Sequence, residues 1–491
     1  MLNIGSNREL FVDDYLLNMG ETTAEFQVHH PIRRESVLTH DAPYEGSMSN
    51  YHNLFYDDGL YRMYYLGWEF GRPGIVVCYA QSRDGIHFEK PELGICEYNG
   101  SKANNIIWDS AAHSVGSGAE NVGIDNFMVF RDDNPNCEKD KRYKAIARWD
   151  HLVDGKPQIS LRSFYSADAI HFVPGHIISE NGAYDSLNVA FWDGQSGKYR
   201  CYFRHFHKKG VATQEIDWKT VEFREDVRDI RYIESEDFIH WSEQQILRFD
   251  DGEDIPLYTN VVQTYPYAPQ LLVGFPSRYI ERPDWSDSFE QLCGKQKRLE
   301  RMEKSRRYGL TITDCVFMCS RDGVNFHRYD EAFMRPNPED GCNWVYGDCY
   351  PGRGMILTPS AQKGADAELS FYATDNHWIG KPAELIRYTL RRDGFVSMHA
   401  GAKEKKVVTK EFVYSGEKLF ANIETSAWGY AFFTLTDAEG TRYESCEYFG
   451  NSVDKEIVLP QDAVAALSGK PVKLEVRMRD ADLYAIRFGS R

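Results

Sequence analysis

Three carboxylates stand where apolar, strand-like runs begin or are interrupted: Glu45 in APYEGSMSNYHNLF, Asp185 in AYDSLNVAFWD and Asp314 in LTITDCVFMCS. Glu45 sits between Tyr44 and small residues that leave room for a substrate. Asp185 is followed by Ser186 and Asn188, a polar lead-in to an apolar strand. Asp314 lies inside an apolar run, where a carboxylate is unfavourable unless it is paired or faces a cleft. Carboxyl groups in unlike environments can do acid–base work, one held protonated to donate and the other ionised to accept a proton or attack. Asp125 and Asn126, in VGIDNFMVF, offer a third carboxylate or orient the substrate. Against each stands a structural reading: a surface acid for Glu45, an Asx turn for Asp185, a buried ion pair for Asp314 and a polar turn for Asp125.

Other polar and aromatic residues cluster at the ends of similar runs. Asn50 opens NYHNLFYD, Arg204 and His205 end YRCYFRHFH, Arg278 ends LLVGFPSR, and Tyr258 with Asn260 begins a strand in LYTN. Arg and His can bind hydroxyls, a carboxylate or a phosphate. Trp344 in CNWVYGD, Trp68 and Tyr44 could stack on a ligand face, and His377 in ATDNHW could approach an axial ion or water. There is no GxSxG elbow, HExxH, P-loop or dinucleotide-binding glycine fingerprint. No cofactor is expected; nothing indicates an axial metal ion. The 10 cysteines lack zinc-ligand spacing and read as buried free thiols.

The elements that must position these residues announce themselves by repetition. SRDGIHF from Ser82 returns as SADAIHF from Ser166, SEDFIHW from Ser235, SRDGVNF from Ser320 and a degenerate LRRDGFV from Leu390. Each copy follows a strand-like run, and further apolar and aromatic strands with polar turns precede most of them. Short strands at a long period indicate a radial repeat of four-stranded sheets, so the pattern predicts a five-bladed β-propeller. In the motif Gly accepts positive φ, Asp bonds nearby amides and the following aromatic packs between blades, which makes it scaffold. The 491 residues, 42% hydrophobic and 14% aromatic, can fill such a fold with strand formers.

Residues 1–403 are read as the propeller, with blades near 40–100, 101–180, 181–255, 256–335 and 336–402. A charged, helix-compatible insertion spans 281–309, and 404–491 is read as a small C-terminal β-sandwich. This order resembles the five-bladed propeller glycosidases, the superfamily of glycoside hydrolase families 32, 43, 62 and 68, and especially the family 32 fructosidases. The family 32 signatures WMNDPNG, RDP and EC are absent. Asn50 stands nearest the place of that family's nucleophile, and FRDDNP at 130–135 resembles the second signature loosely.

The resemblance implies a glycoside hydrolase acting on a small oligosaccharide or glycoside through two axial carboxylates drawn from Glu45, Asp185 and Asp314. A phosphorylase similar to family 130, with Arg and His holding phosphate, is the second enzyme reading. A non-catalytic carbohydrate-binding propeller is the third. The net charge of −17 argues against a nucleic-acid partner. No run suits a membrane span, so a carbohydrate partner and a cytoplasmic location are expected, with homo-oligomerisation left open.

Overall fold

The computed structural model describes residues 1–72, 74–110, 123–153, 156–216, 220–222, 225–249 and 253–490. Five sheets stand around a common axis. Blade one runs outward from Asn50–Asp57 through Leu60–Gly67 and Val76–Ser82 to Ile106–Asp109. Blade two uses Gly123–Arg131, Tyr143–Val153, Lys156–Ser166 and Val173–Ser179. Blade three is built on Val189–Asp193, Lys198–Lys208 and Asp226–Ser235. Blade four contains Gln263–Thr264, Leu272–Gly274, Ser277–Glu281, Thr311–Ser320 and Asn325–Met334. Blade five comprises Ile356–Thr358, Glu368–Asp375 and Glu384–Arg391, and its outer strand is Ile32–Thr39 from the other end of the chain. That pairing closes the ring.

The repeated motif turns the chain between the outer strands. In blade one the Asp84 carboxylate accepts the Ile86 and His87 amides at 2.8 and 2.9 Å, and Ser82 Oγ accepts the Gly85 amide at 3.0 Å. The copies at Asp168, Asp237 and Asp322 repeat these bonds. The turn position has positive φ in all four, although only Gly85 and Gly323 are glycines; Ala169 and Phe238 accept the strain. A tyrosine from a neighbouring blade fixes three of the turns by donating to the carbonyl there: Tyr64 to Ala169, Tyr202 to Gly323 and Tyr372 to Gly85. Aromatic pairs such as Phe88 with Tyr372 and Phe172 with Tyr64 fill the gaps between blades, each adding about 0.5–1.5 kcal/mol beyond area burial.

Strand pairing gives the N-terminal residues two destinations. Leu2–Gly5, Arg8–Leu10 and Glu25–Val28 pair with C-terminal strands, and Ile32–Thr39 pairs with blade five. The C-terminal strands and these three form one ten-stranded sheet around the long Lys418–Asp437 and Val472–Gly489. Leu419, Ala421 and Ile423 from one half of the first long strand and Ala431, Phe433 and Leu435 from the other enter one core, so the sheet folds over itself where its register breaks. The degenerate fifth motif serves this junction. Asp393, fully buried, bonds Arg8 at 3.0 Å, Tyr265 at 2.7 Å and Asn422 at 2.9 Å, tying propeller to sheet. Among the described residues no helix is long and apolar enough to cross a membrane.

Candidate active site

The innermost strands run in one direction, so their N-terminal ends gather at one mouth of the axis, the front, and their C-terminal ends at the rear. A front cavity of about 230 Å³ is lined by Asn50 and Tyr51 of blade one, Asp125 of blade two, and Asp185, Tyr258 and Tyr346 from the segments leading into blades three, four and five. Asp125 lies across the antiparallel ladder from Arg148, whose Nε holds Asp150 at 2.8 Å. Burial first, and then the nearby Asp185 carboxylate, raise Asp125 to about 7 against the pull of Arg148. A carboxyl in that range is partly protonated at neutral pH and can donate a proton.

Asp185 is 52% exposed and stands 3.4 Å from the guanidinium of Arg204, which is 7% exposed. The Arg204 Nε donates to the Ala183 carbonyl at 3.0 Å, and its guanidinium lies 4.9 Å from the Tyr258 ring centre. Arg228 lies 3.9 Å from the Tyr279 ring centre, and burial lowers its pKa. Arg307 completes a set of four guanidinium groups with Arg148, Arg204 and Arg228. Two carboxylates thus share the cavity with four fixed positive charges. His377 adds none, because burial drives it down to about 3. Gly347, at φ +98, lets the backbone pass beneath that ring; a Cβ there would fall 1.9 Å from His377 Cδ2. Tyr346 donates to Tyr258 across 2.9 Å, and Tyr51 lies 3.5 Å from the same hydroxyl.

Of the residues singled out from sequence, the structure brings Asp185, Asp125, Asn50, Arg204, Tyr258, Trp68 and His377 to this cavity. Glu45 is elsewhere: its buried carboxylate accepts Tyr65 at 2.6 Å, Lys90 at 2.6 Å and the Ala42 amide at 2.9 Å. Asp314 also lies outside, gripped by Arg278 at 2.6 and 2.5 Å across adjacent strands of blade four, which is the ion-pair alternative for Asp314 and takes Arg278 away from a ligand as well. Asn188 and Asn260 bracket backbone. Asn188 donates to the Tyr184 and Ser186 carbonyls, while Asn260 reaches from blade four to the Leu187 and Tyr202 carbonyls of blade three. Asn126 is fully buried at φ +58 and donates to Tyr184 at 3.3 Å. Ser186 is fully buried as well. His205 bonds the Phe206 amide and Asn181, and Trp344 donates to Asn337 at 2.8 Å, both away from the cavity. Tyr44 is buried against Asn105 at 2.6 Å. Within FRDDNP, Asp133 lies at the rear.

Sequence reasoning did not single out Arg148, Arg228, Arg307, Tyr346 or Trp378. Arg148 and Arg228 carried no clear signal, since other charges share their faces, Lys144 and Asp150 beside the first and Asp226 and Glu234 beside the second. The insertion contributes more directly. Its helices Lys295–Lys304 and Arg306–Leu310 pack on the front: buried Arg298 and Arg301 donate to the Trp344 and Trp378 carbonyls, and the Tyr308 ring meets Trp378 at 4.5 Å. Arg307 and Tyr308 are therefore cavity wall.

No protein-family model and no curated protein matches the chain. Solved structures do resemble it in chain path. One is an N-acetylgalactosamine deacetylase from F. plautii in complex with blood group B trisaccharide, 11% identical over 75% of this chain and 95% of that one, TM-score 0.44. A thermostable family-43 glycoside hydrolase is 10% identical over 72% and 94%, TM-score 0.41. A Bombyx mori family 32 β-fructofuranosidase is 9% identical over 94% of each chain, TM-score 0.38.

Proposed function

We propose that this propeller cleaves the glycosidic bond of a small oligosaccharide or glycoside by hydrolysis, with Asp125 as proton donor and Asp185 as the carboxylate that activates water or attacks. The observation that carries this reading is the pairing of the two in one front cavity, where burial and its neighbour raise Asp125 to about 7. Glycoside hydrolysis needs such a division of labour between two carboxyl groups. Aromatic residues Tyr51, Tyr258, Trp68 and Trp378 give the cavity surfaces for a sugar ring. Glu45 and Asp314 have no part in it, because their oxygens already hold Lys90, Tyr65 and Arg278.

One observation favours a second reading. Four guanidinium groups line one cavity, and guanidinium binds phosphate through paired hydrogen bonds. In phosphorolysis phosphate would replace water and one carboxyl would suffice. The deciding experiment is product analysis of purified protein on a glycoside panel, with and without phosphate, beside Asp125→Asn and Asp185→Asn. Free sugar released without phosphate, and lost in both variants, supports hydrolysis. Sugar phosphate formed only with phosphate selects the second reading. Sugar binding with no product in either condition overturns both and leaves a carbohydrate-binding propeller.

A further inference from the structure

The rear mouth holds a second and larger cavity, about 620 Å³, within the range of small-molecule sites, roughly 300–1,000 Å³. All five innermost strands reach it with their C-terminal ends. Its apolar wall carries the rings of Phe55, Tyr56, Tyr61, Trp192 and Tyr267. Two arginines line it, in unlike states. Arg131 is held by Asp133 at 2.5 Å and Asp57 at 3.4 Å. Arg353, among the described residues, has no carboxylate within ion-pairing distance and no side-chain hydrogen bond, and its Nε is buried without a partner.

Backbone geometry explains why Arg353 cannot retreat. Its amide donates to the His52 carbonyl at 2.9 Å and its own carbonyl accepts the Leu54 amide at 2.8 Å. Gly354, at φ +115, permits that close approach, since a Cβ would lie 2.3 Å from the Leu54 oxygen. The guanidinium is left 5.9 Å from the Phe191 ring centre, facing the cavity. Burial lowers Arg353 to about 10, so it remains charged at neutral pH. Gln263 Nε2 and Thr264 Oγ1, on the same wall, are also buried without partners. A partly buried, unpaired cation beside unused donors is unfavourable until an anion fills the gap.

We propose that the rear cavity binds a small carboxylate carried on a six-membered ring, with Arg353 gripping the carboxylate and Trp192 and Tyr267 covering the ring. The guanidinium fork matches a carboxylate, and the aromatic wall gives a ring its apolar contact. The site is independent of the front cavity and of the reaction proposed there.

Calorimetric titration of the full chain with benzoate, glucuronate, acetate and inorganic phosphate tests this. The expected result is one ring carboxylate per chain, benzoate or glucuronate showing which kind of ring is preferred. Acetate and phosphate should bind at least about tenfold more weakly, and so should benzoate or glucuronate to Arg353→Met. Binding should change the fluorescence of Trp192, a change lost in Trp192→Phe. If Arg353→Met fails to fold, Arg353→Lys, which keeps the charge but loses the fork, carries the same expectation. No binding at millimolar concentration, equal binding by the Arg353 variant, or phosphate binding as tightly as the ring carboxylates overturns the proposal; equal binding by the variant would move the anion to the front arginines.

Discussion

The two mouths of one axis handle charge in opposite ways. At the front, Asp125 faces Arg148, Asp185 faces Arg204, and the Arg228 guanidinium lies over the Tyr279 ring. At the rear, Arg131 is held by Asp133, while Arg353, which senses the Asp133 charge only from beyond ion-pairing distance, faces the aromatic cavity with its Nε unpartnered. The difference follows from which ends of the strands meet. Loops leading into the blades bring side chains to the front from several directions, so opposite charges can be set against one another. The rear is walled by strand ends whose pleat alternates, and its backbone contacts fix Arg353 where no described carboxylate comes within ion-pairing distance. A front with its charges in mutual contact is preorganised for acid–base chemistry, whereas an uncompensated rear is suited to receiving a charge from outside.

The largest expected effect tests the front. Asp125→Asn should lower turnover by about 10²–10⁴-fold, the usual contribution of a general acid. It should also raise Tm at neutral pH, because the amide removes a carboxyl whose ionisation burial opposes. In wild type the acid role predicts activity that falls as pH rises above about 7, the value at which Asp125 loses its proton. Full activity in Asp125→Asn would break the comparison, leaving the front as passive as a binding cleft.

A smaller effect sharpens it. Arg148 pulls the Asp125 value down, so Arg148→Met should move the alkaline limb of the pH profile of kcat/KM to higher pH. An unmoved limb would mean that the two groups do not sense each other. Smaller again is Tyr308→Ala, which removes insertion wall and its 4.5 Å contact with Trp378. It should raise KM roughly tenfold with kcat nearly unchanged, the mark of binding shared by ground and transition states. Equal loss in both would put the insertion in the chemistry.

Such residues mark where the sequence stops being readable. The blades were legible because the Ser-x-Asp turn is a local device: Asp84 bonds amides two and three residues away, and each of the first four copies carries its own instructions. The front carboxylates were half legible, since Asp125 lies in the first residues of an innermost strand and Asp185 precedes one. Glu45 occupies the same kind of position, yet Lys90 and Tyr65, distant in sequence, claim its oxygens once blade one folds. Asn188 and Asn260 looked like sugar ligands because a buried amide and a ligand-facing amide share one local pattern; only the neighbouring backbone tells them apart. Arg228 and Arg307 come from a third strand and an insertion, and their convergence depends on closing the ring. The N-terminal strands were read with the propeller because nothing local in Leu2–Gly5 reveals that its partner is Phe412–Tyr414.

The smallest effect separates chemistry from scaffold behind the front wall. His207 Nδ1 lies 2.9 Å from Asp229 and its Nε2 lies 2.9 Å from Asp254. Burial opposes its protonation, but the two carboxylates prevail and hold its pKa above the ordinary 6.5. With the folded value above the unfolded one, its stabilisation is complete below about pH 6.5 and is lost as pH rises through the folded value. Asp125 slopes the same way in a lower window. Its folded value of about 7 exceeds an unfolded value of about 3.9, so its penalty is absent in acid and grows until about pH 7. Melting curves across pH, read as wild type minus variant, resolve the two: Asp125→Asn should flatten the slope between about pH 4 and 7, and His207→Gln the slope above about 6.5. The subtraction is needed because Asp84, Asp168 and Asp237, where turn amides outweigh burial and hold the carboxylates low, add the opposite slope in acid. An unchanged slope in Asp125→Asn would mean that water reaches this carboxylate freely, and the front would then owe its acid to something other than burial.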